Sequence, residues 1–109
     1  MQLRSAHRLL IHNYVIAEFI ALCTARGASR RLALAFLDGL FSDHRIEMRW
    51  VDRELHCRGV EFLRKRLDKS YSLTDAVSFI LMRKSRVRIA LTSDEHFEQE
   101  GFVRLLKPG

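Results

Sequence analysis

The segment VRIALTSD, Val87–Asp94, joins a strand pattern to an acidic residue. The run VRIALT is short, apolar and rich in β-branched side chains, which predicts a strand over Val87–Thr92. In parallel α/β sheets, functional groups collect beyond the carboxyl ends of the strands, so Asp94 is a candidate site residue. The alternative role for Asp94 is an Asx-type turn after the strand.

Helical patterns and short apolar runs alternate along the rest of the chain. Ile46–Val51 and Phe102–Leu106 are the other predicted strands. Helices are predicted over Tyr14–Cys23, after Ser29, after Asp52, and from Ser72 through Met82, with Asn13, Ser29, Asp52 and Ser72 as capping residues. Strands separated by helices indicate parallel βαβ units, so the predicted fold class is α/β, a parallel sheet with helices on both faces.

The first two predicted helices are strongly apolar. Between Tyr14 and Cys23, Glu18 is the only acidic side chain, and the second helix carries one apolar stripe, formed by Leu32, Phe36, Leu37, Leu40 and Phe41. A helix that is apolar all round should be largely buried. A buried carboxylate is costly unless it is paired or binds a cation. Glu18 is therefore either a metal ligand or the partner of an arginine.

Asp75 comes three residues after Ser72, at the start of a predicted helix. This spacing matches a capping box. A first-turn carboxylate can also hold a metal ion, with hydrogen bonds from Ser72 and Thr74 orienting it. Glu18, Asp75 and Asp94 together suggest an oxygen-rich site for Mg²⁺ or Mn²⁺. Such an ion serves phosphodiester cleavage, because it shields the phosphate and activates a water.

Composition sets the broad class of the protein. The 109 residues, of which 48% are hydrophobic, predict one packed domain over residues 1–109. The net charge of +6 favours a nucleic-acid partner over plain solubility. Cys23 and Cys57 lack a metal-ligand spacing and are predicted to be buried reduced thiols, which suits the cytoplasm. No apolar stretch approaches the roughly 20 residues of a membrane span.

Three motifs occur in order along the chain: NYVIAE at 13–18, YSLTDAVSF at 71–79, and TSDEHF at 92–97, which Gly101 and Phe102 follow. This series resembles the PIN domain, specifically the VapC-type toxin ribonucleases of bacteria and archaea. The resemblance runs from about Leu9 to Leu106.

The resemblance implies a parallel sheet with strand order 3-2-1-4-5 and Mg²⁺- or Mn²⁺-dependent cleavage of RNA by an activated water. It implies that Glu18, Asp75 and Asp94 are catalytic metal ligands, with Ser72 and Thr92 close to the site. It also implies an antitoxin protein as a partner, and a dimer.

The chain departs from this family at its start. PIN domains begin with a central strand that carries an Asp, but residues 1–17 contain no Asp or Glu. We therefore expect a domain that is incomplete at the N-terminus and lacks the first strand, one metal ligand and the pairing of two strand edges. Met1–His7 is expected to be too short and polar to replace that strand. Dimerisation or domain swapping would then fill the gap.

Arg83, Lys84 and Arg86 cluster after the helix that begins with Asp75. These cations either suit the dipole at the helix end or contact RNA phosphates. Two functions stay open at this point. The first is a metal-dependent endoribonuclease of toxin–antitoxin type, and the second is a catalytically inactive PIN-like remnant that acts as an oligomerisation or partner-binding module.

Overall fold

The computed structural model describes residues 2–5, 8–90, 92, 94–104 and 106. From residue 13 onward, one or two helices separate each strand from the next, as the sequence predicts. In chain order they are β1 (Gln2–Ser5), β2 (Arg8–His12), α1 (Asn13–Ala25), α2 (Arg30–Ser42), β3 (Ile46–Arg49), α3 (Arg53–Arg64), α4 (Leu73–Lys84), β4 (Ile89–Ala90), α5 (His96–Gln99) and β5 (Val103–Arg104).

Side-chain caps begin three of these helices as predicted. Ser29, Asp52 and Ser72 each accept a backbone N–H from the first turn of the helix that follows. Asn13 differs, because it is the first residue of α1 and its Oδ1 accepts the N–H of Val51 at 2.6 Å. The prediction that Asn13 caps α1 was therefore wrong. Its amide instead ties the start of α1 to the chain beyond β3.

The strands form one sheet in the order β3-β2-β1-β4-β5. β2 pairs with β3 in parallel, and β4 pairs with β5 in parallel, as βαβ units require. β1 is antiparallel to both β2 and β4, so those two strands run in the same direction. The carboxyl ends of β2, β3, β4 and β5 therefore lie at one edge of the sheet.

The expectation that the sheet lacks a central strand, and that Met1–His7 cannot replace it, was wrong. Gln2–Ser5 lies between β2 and β4 and pairs with both strands, so the two predicted free edges are not formed. The physical reason is that backbone groups pair whatever the polarity of the side chains. Because β4 has only two residues, a four-residue strand suffices to cover it. The segment runs antiparallel, unlike the parallel acidic strand that the resemblance implies.

Helix α4 forms the centre of the main core. Its residues from Ala76 to Met82 are all buried. It packs against α3 at Gly59, where a Cβ atom would lie 3.0 Å from the Leu73 side chain. Aromatic rings surround Phe79, whose centroid is 4.9 Å from that of Phe97. The other members of this cluster are Tyr71, Met82, Val87, Ala90 and Phe102.

Helix α1 is much less buried than the sequence predicts, and the apolar stripe of α2 is largely exposed as well. No residue of α1 is buried, and Glu18 is exposed. On α2, Leu32 is 70% exposed and Phe41 is 53% exposed. Cys57 on α3 is exposed too, and Cys23 is only half-buried. These predictions of burial were wrong, because an apolar pattern does not specify which neighbour will cover it. Within the described part of the chain, no helix is long and apolar enough to span a membrane.

Candidate metal centre

Asp75, Asp94 and His96 converge at the start of α4 and beyond the end of β4. Nδ1 of His96 lies 2.9 Å from Oδ2 of Asp75 and 3.4 Å from Oδ1 of Asp94. One ligand atom from each residue lies within 4.8 Å of the other two. The structure thus brings together two of the three predicted acidic residues and adds a histidine.

Asp75 performs the capping role and also faces this group. The N–H of Ser72 donates to Oδ2 of Asp75, and the N–H of Asp75 donates to Oγ of Ser72, both at 3.0 Å. The Asp75 side chain is only 13% exposed. Ser72 therefore fixes the carboxylate, and Thr74 follows in the same turn, half-buried. Capping and metal binding, posed as alternatives for Asp75, are geometrically compatible.

Asp94 is held by a turn of the kind considered as its alternative role. Oδ1 of Asp94 accepts the N–H of His96 at 2.9 Å. The hydroxyl of Thr92 accepts the N–H of Asp94 at 3.0 Å. The turn therefore aims the carboxylate toward Asp75, and the Thr92 hydroxyl fixes the backbone from which Asp94 projects.

His96 is the residue that the sequence reasoning missed. Its ring packs edge-on against Tyr71, with the centroids 5.2 Å apart, and its Nε2 lies 3.2 Å from Oγ of Ser70. The side chain is 20% exposed. The sequence feature that could have identified it is its position two residues after Asp94 in the motif TSDEHF. A tight turn there returns the side chain to the same site.

Glu18 and the predicted RNA-binding cations lie apart from this group. Glu18 is exposed on α1 and is not part of the group that the described residues form. Lys84 lies nine residues after Asp75 on α4, roughly 13 Å along the helix axis. Arg86 is exposed, with a φ of 58° just past the end of α4. The structure therefore places these cations at the far end of α4 from Asp75.

Arg83 belongs to an ion cluster around Glu100, whose side chain is 8% exposed. Glu100 accepts hydrogen bonds from Arg66, Arg83 and Tyr71 at 2.9–3.0 Å. Burial would raise the pKa of Glu100, but these bonds outweigh it and the pKa is lowered. Burial, together with Glu100, raises the pKa of Tyr71 to about 12. The cluster keeps Tyr71 fixed and protonated beneath His96, and it engages the guanidinium of Arg83.

The donor set fits a divalent cation. Carboxylate oxygens are ligands of Mg²⁺ and Mn²⁺, and an imidazole nitrogen is a further ligand for transition metals. The partial exposure of all three side chains leaves room for substrate or water. This arrangement can do the chemistry of metal-assisted phosphodiester cleavage.

Comparison with known proteins supports the same chemistry. No family model matches the chain. The chain is 30% identical over 97 residues to the 23S rRNA-specific endonuclease VapC20 of Mycobacterium tuberculosis, from strain CDC 1551 / Oshkosh and from strain ATCC 25618 / H37Rv. The match covers 89% of this chain and 72% of the relative. The chain belongs to the VapC family of PIN-domain toxin ribonucleases. VapC membership confirms the resemblance seen in the three motifs.

A solved VapC structure confirms the fold. The crystal structure of Mycobacterium tuberculosis VapC20, described as a sarcin-ricin loop cleaving toxin, matches with a TM-score of 0.82 at 27% identity. The match covers 93% of this chain and 76% of that chain. The predicted α/β PIN-like fold is therefore confirmed, and the inactive remnant is not favoured. VapC nucleases are generally metal-dependent, which agrees with the group at Asp75.

Proposed function

We propose that this chain is a metal-dependent endoribonuclease of toxin–antitoxin type, in which Asp75 and Asp94 hold Mg²⁺ or Mn²⁺. The supporting observation is the convergence of these carboxylates with His96 in a member of the VapC family. Both acids lie in the motifs of the sequence, and each is oriented by a hydrogen-bonded turn. Glu18 lies outside this group and stays in the proposal as a third acidic ligand only through its place in the motif NYVIAE.

When bound, the ion would shield the phosphate charge and lower the pKa of a water. The chain's own residues have the task of positioning. The hydroxyl of Ser72 accepts the N–H of Asp75, and the hydroxyl of Thr92 accepts the N–H of Asp94, so each hydroxyl fixes the backbone of one acid. Tyr71 supports the ring of His96. Because a displacement of about 1 Å can cost a large factor in rate, this support is part of the proposed catalytic design.

We propose RNA as the substrate and an antitoxin protein as a partner. The relative VapC20 is specific for 23S rRNA, which makes large-subunit ribosomal RNA the first substrate to test. A ribosomal substrate would place the protein in the cytoplasm. The net charge of +6 and the exposed Lys84 and Arg86 favour polyanion binding.

The apolar face of α1 and α2 supports a protein partner. We call this surface the α1–α2 face and define it by Leu22, Leu32, Phe36 and Phe41, each about half exposed or more. The four side chains belong to two helices that pack together, and exposed large apolar residues on neighbouring helices favour an interaction surface. An antitoxin or a second copy of the chain, as a homodimer or a domain-swapped oligomer, would bury them.

Cleavage of ribosomal RNA by the purified chain tests the proposal. We expect cleavage with Mg²⁺ or Mn²⁺, no cleavage with a chelator, and a loss of at least about 100-fold in Asp94→Asn, because the negative charge of one ligand is removed. Asp38→Asn is the matched control, since Asp38 is exposed on α2. Cleavage that persists in chelator, or that is equal in wild type and Asp94→Asn, would contradict the proposal.

A further inference from the structure

We infer that His96 is itself a nitrogen ligand of the divalent ion at Asp75 and Asp94, and that it makes this site select transition-metal ions such as Mn²⁺ and Co²⁺ over Mg²⁺. The inference rests on the proposed metal site. It goes beyond that proposal because it assigns a direct ligand outside the acidic residues, and with it a class of metal.

The geometry places one ring nitrogen between the two acids. Nδ1 of His96 is 2.9 Å from Oδ2 of Asp75 and 3.4 Å from Oδ1 of Asp94. The three ligand atoms lie within 4.8 Å of one another, close to the roughly 4.4 Å that an ion about 2.0–2.2 Å from each of them allows. The nitrogen is therefore within reach of the same ion as both oxygens.

The other ring nitrogen has a partner of its own. Nε2 of His96 lies 3.2 Å from Oγ of Ser70, which can accept an N–H from it. A metal-binding histidine commonly donates its second N–H to such an acceptor, which fixes the tautomer and the ring orientation. The 2.9 Å contact lets Nδ1 donate a hydrogen bond to Oδ2 of Asp75 when the ring proton lies on Nδ1. When the proton lies on Nε2 instead, the lone pair of Nδ1 points toward the two carboxylates. Three electron-rich atoms then face one another, an arrangement that a bound cation stabilises.

The ligand set predicts the metal class. Oxygen ligands alone suit Mg²⁺, whereas imidazole suits transition metals, whose affinities rise from Mn²⁺ to Co²⁺. One nitrogen beside two carboxylates therefore raises the affinity for Co²⁺ and Mn²⁺ more than that for Mg²⁺. His96 accordingly determines selectivity, while Asp75 and Asp94 supply most of the attraction for any divalent ion.

Pulsed EPR of bound Mn²⁺ tests direct ligation without any substrate. We expect ¹⁴N modulation from a coordinated imidazole in the wild type and in His44→Gln, where an exposed histidine is removed. We expect no such modulation in His96→Ala or His96→Asn. Calorimetry should show Co²⁺ affinity falling about tenfold or more in these two variants, with Mg²⁺ affinity changing less than about threefold. Circular dichroism identifies a variant that fails to fold, and two different replacements guard against that outcome.

The outcomes separate this inference from the proposed function. Bound Mn²⁺ without nitrogen modulation in the wild type, or modulation that persists in both His96 variants, would overturn the inference alone. Equal losses of Mg²⁺ and Co²⁺ affinity would also overturn it, because His96 would then only orient Asp75. Nitrogen modulation in a chain that cleaves no RNA would overturn the proposed function and leave the ligand intact. Failure to bind any divalent ion would overturn both.

Discussion

Helix α4 and the helices α1 and α2 all have apolar sequences, but α4 is buried whereas α1 and α2 are largely exposed. Seven consecutive residues of α4 are buried, from Ala76 to Met82, whereas α1 has none. α4 lies among α3, α5 and the aromatic cluster, so it is covered on all sides. α1 packs against α2 and β2 within the described part of the chain. The difference shows that hydrophobicity creates the tendency to bury a helix, and that neighbouring surfaces determine whether it is buried.

Replacing one aromatic ring on α4 and one on α2 should give the largest difference in the free energy of unfolding. Phe79 is 0% exposed and contacts the rings of Phe62, Tyr71, Phe97 and Phe102. We expect Phe79→Ala to lower the free energy of unfolding by about 3–5 kcal/mol, through lost burial and a cavity. Phe36→Ala, at a residue 50% exposed, should cost about 1 kcal/mol. Urea unfolding measures both, and equal losses would show that α1–α2 is packed as well as the core.

The buried histidine His12 joins β2 to α4. Its ring is buried, its Nε2 lies 2.7 Å from Oγ of Ser78, and its Nδ1 has no hydrogen-bond partner among the described residues. Burial lowers the pKa of His12 from 6.5 to about 4. Between those values the unfolded chain binds the proton more strongly, so stability should fall as pH falls from 6.5 toward 4, by up to about 3 kcal/mol.

Thermal unfolding between pH 4 and pH 8 measures this loss. His12→Asn should show a flatter profile below pH 6.5, while His44→Gln should follow the wild type because His44 is exposed. Parallel profiles for wild type and His12→Asn would rule out His12 as the source of the acid sensitivity.

A smaller difference in the free energy of unfolding is expected between the loss of the Glu100 ion pairs and the loss of the Glu61 ion pair. Glu100 is 8% exposed and accepts bonds from Arg66, Arg83 and Tyr71. We expect Glu100→Gln to cost about 2 kcal/mol, because charge-assisted bonds to a buried group are lost. Glu61→Gln breaks a bond to Arg64 in which both side chains are more than 60% exposed, so it should cost less than about 0.5 kcal/mol. Similar losses in urea unfolding would contradict the burial of Glu100.

The smallest effect on stability is expected on the α1–α2 face. Leu32→Ser with Phe41→Ser should change the free energy of unfolding by about 0.5 kcal/mol or less per substitution, because both residues are more than half exposed. Sedimentation should show wild type heavier than its 12.8 kDa monomer and the double variant at the monomer mass. If the wild type sediments as a monomer by itself and does not bind its antitoxin, this face has no protein partner.

The candidate site was predictable where local rules apply. Asp75 and Asp94 follow from a helix start and from the end of a strand, and the structure brings them together. His96 was missed because scattered histidines in a sequence do not show which one a tight turn returns to the site. Arg83 was grouped with Lys84 and Arg86 as a cation that suits the helix end or contacts RNA, but it bonds to Glu100, which lies 17 residues away in the sequence. Such a partner cannot be read from local spacing.

The sequence by itself determined the α/β class, the caps at Ser29, Asp52 and Ser72, and the two motif acids, because these depend on short-range spacing and backbone hydrogen bonding. Only the tertiary structure decided that Gln2–Ser5 completes the sheet, that α4 rather than α1 is buried, and that His96 joins the acids. Each of these depends on contacts between segments distant in sequence. Their free energy comes from surfaces that exist only once the chain has folded.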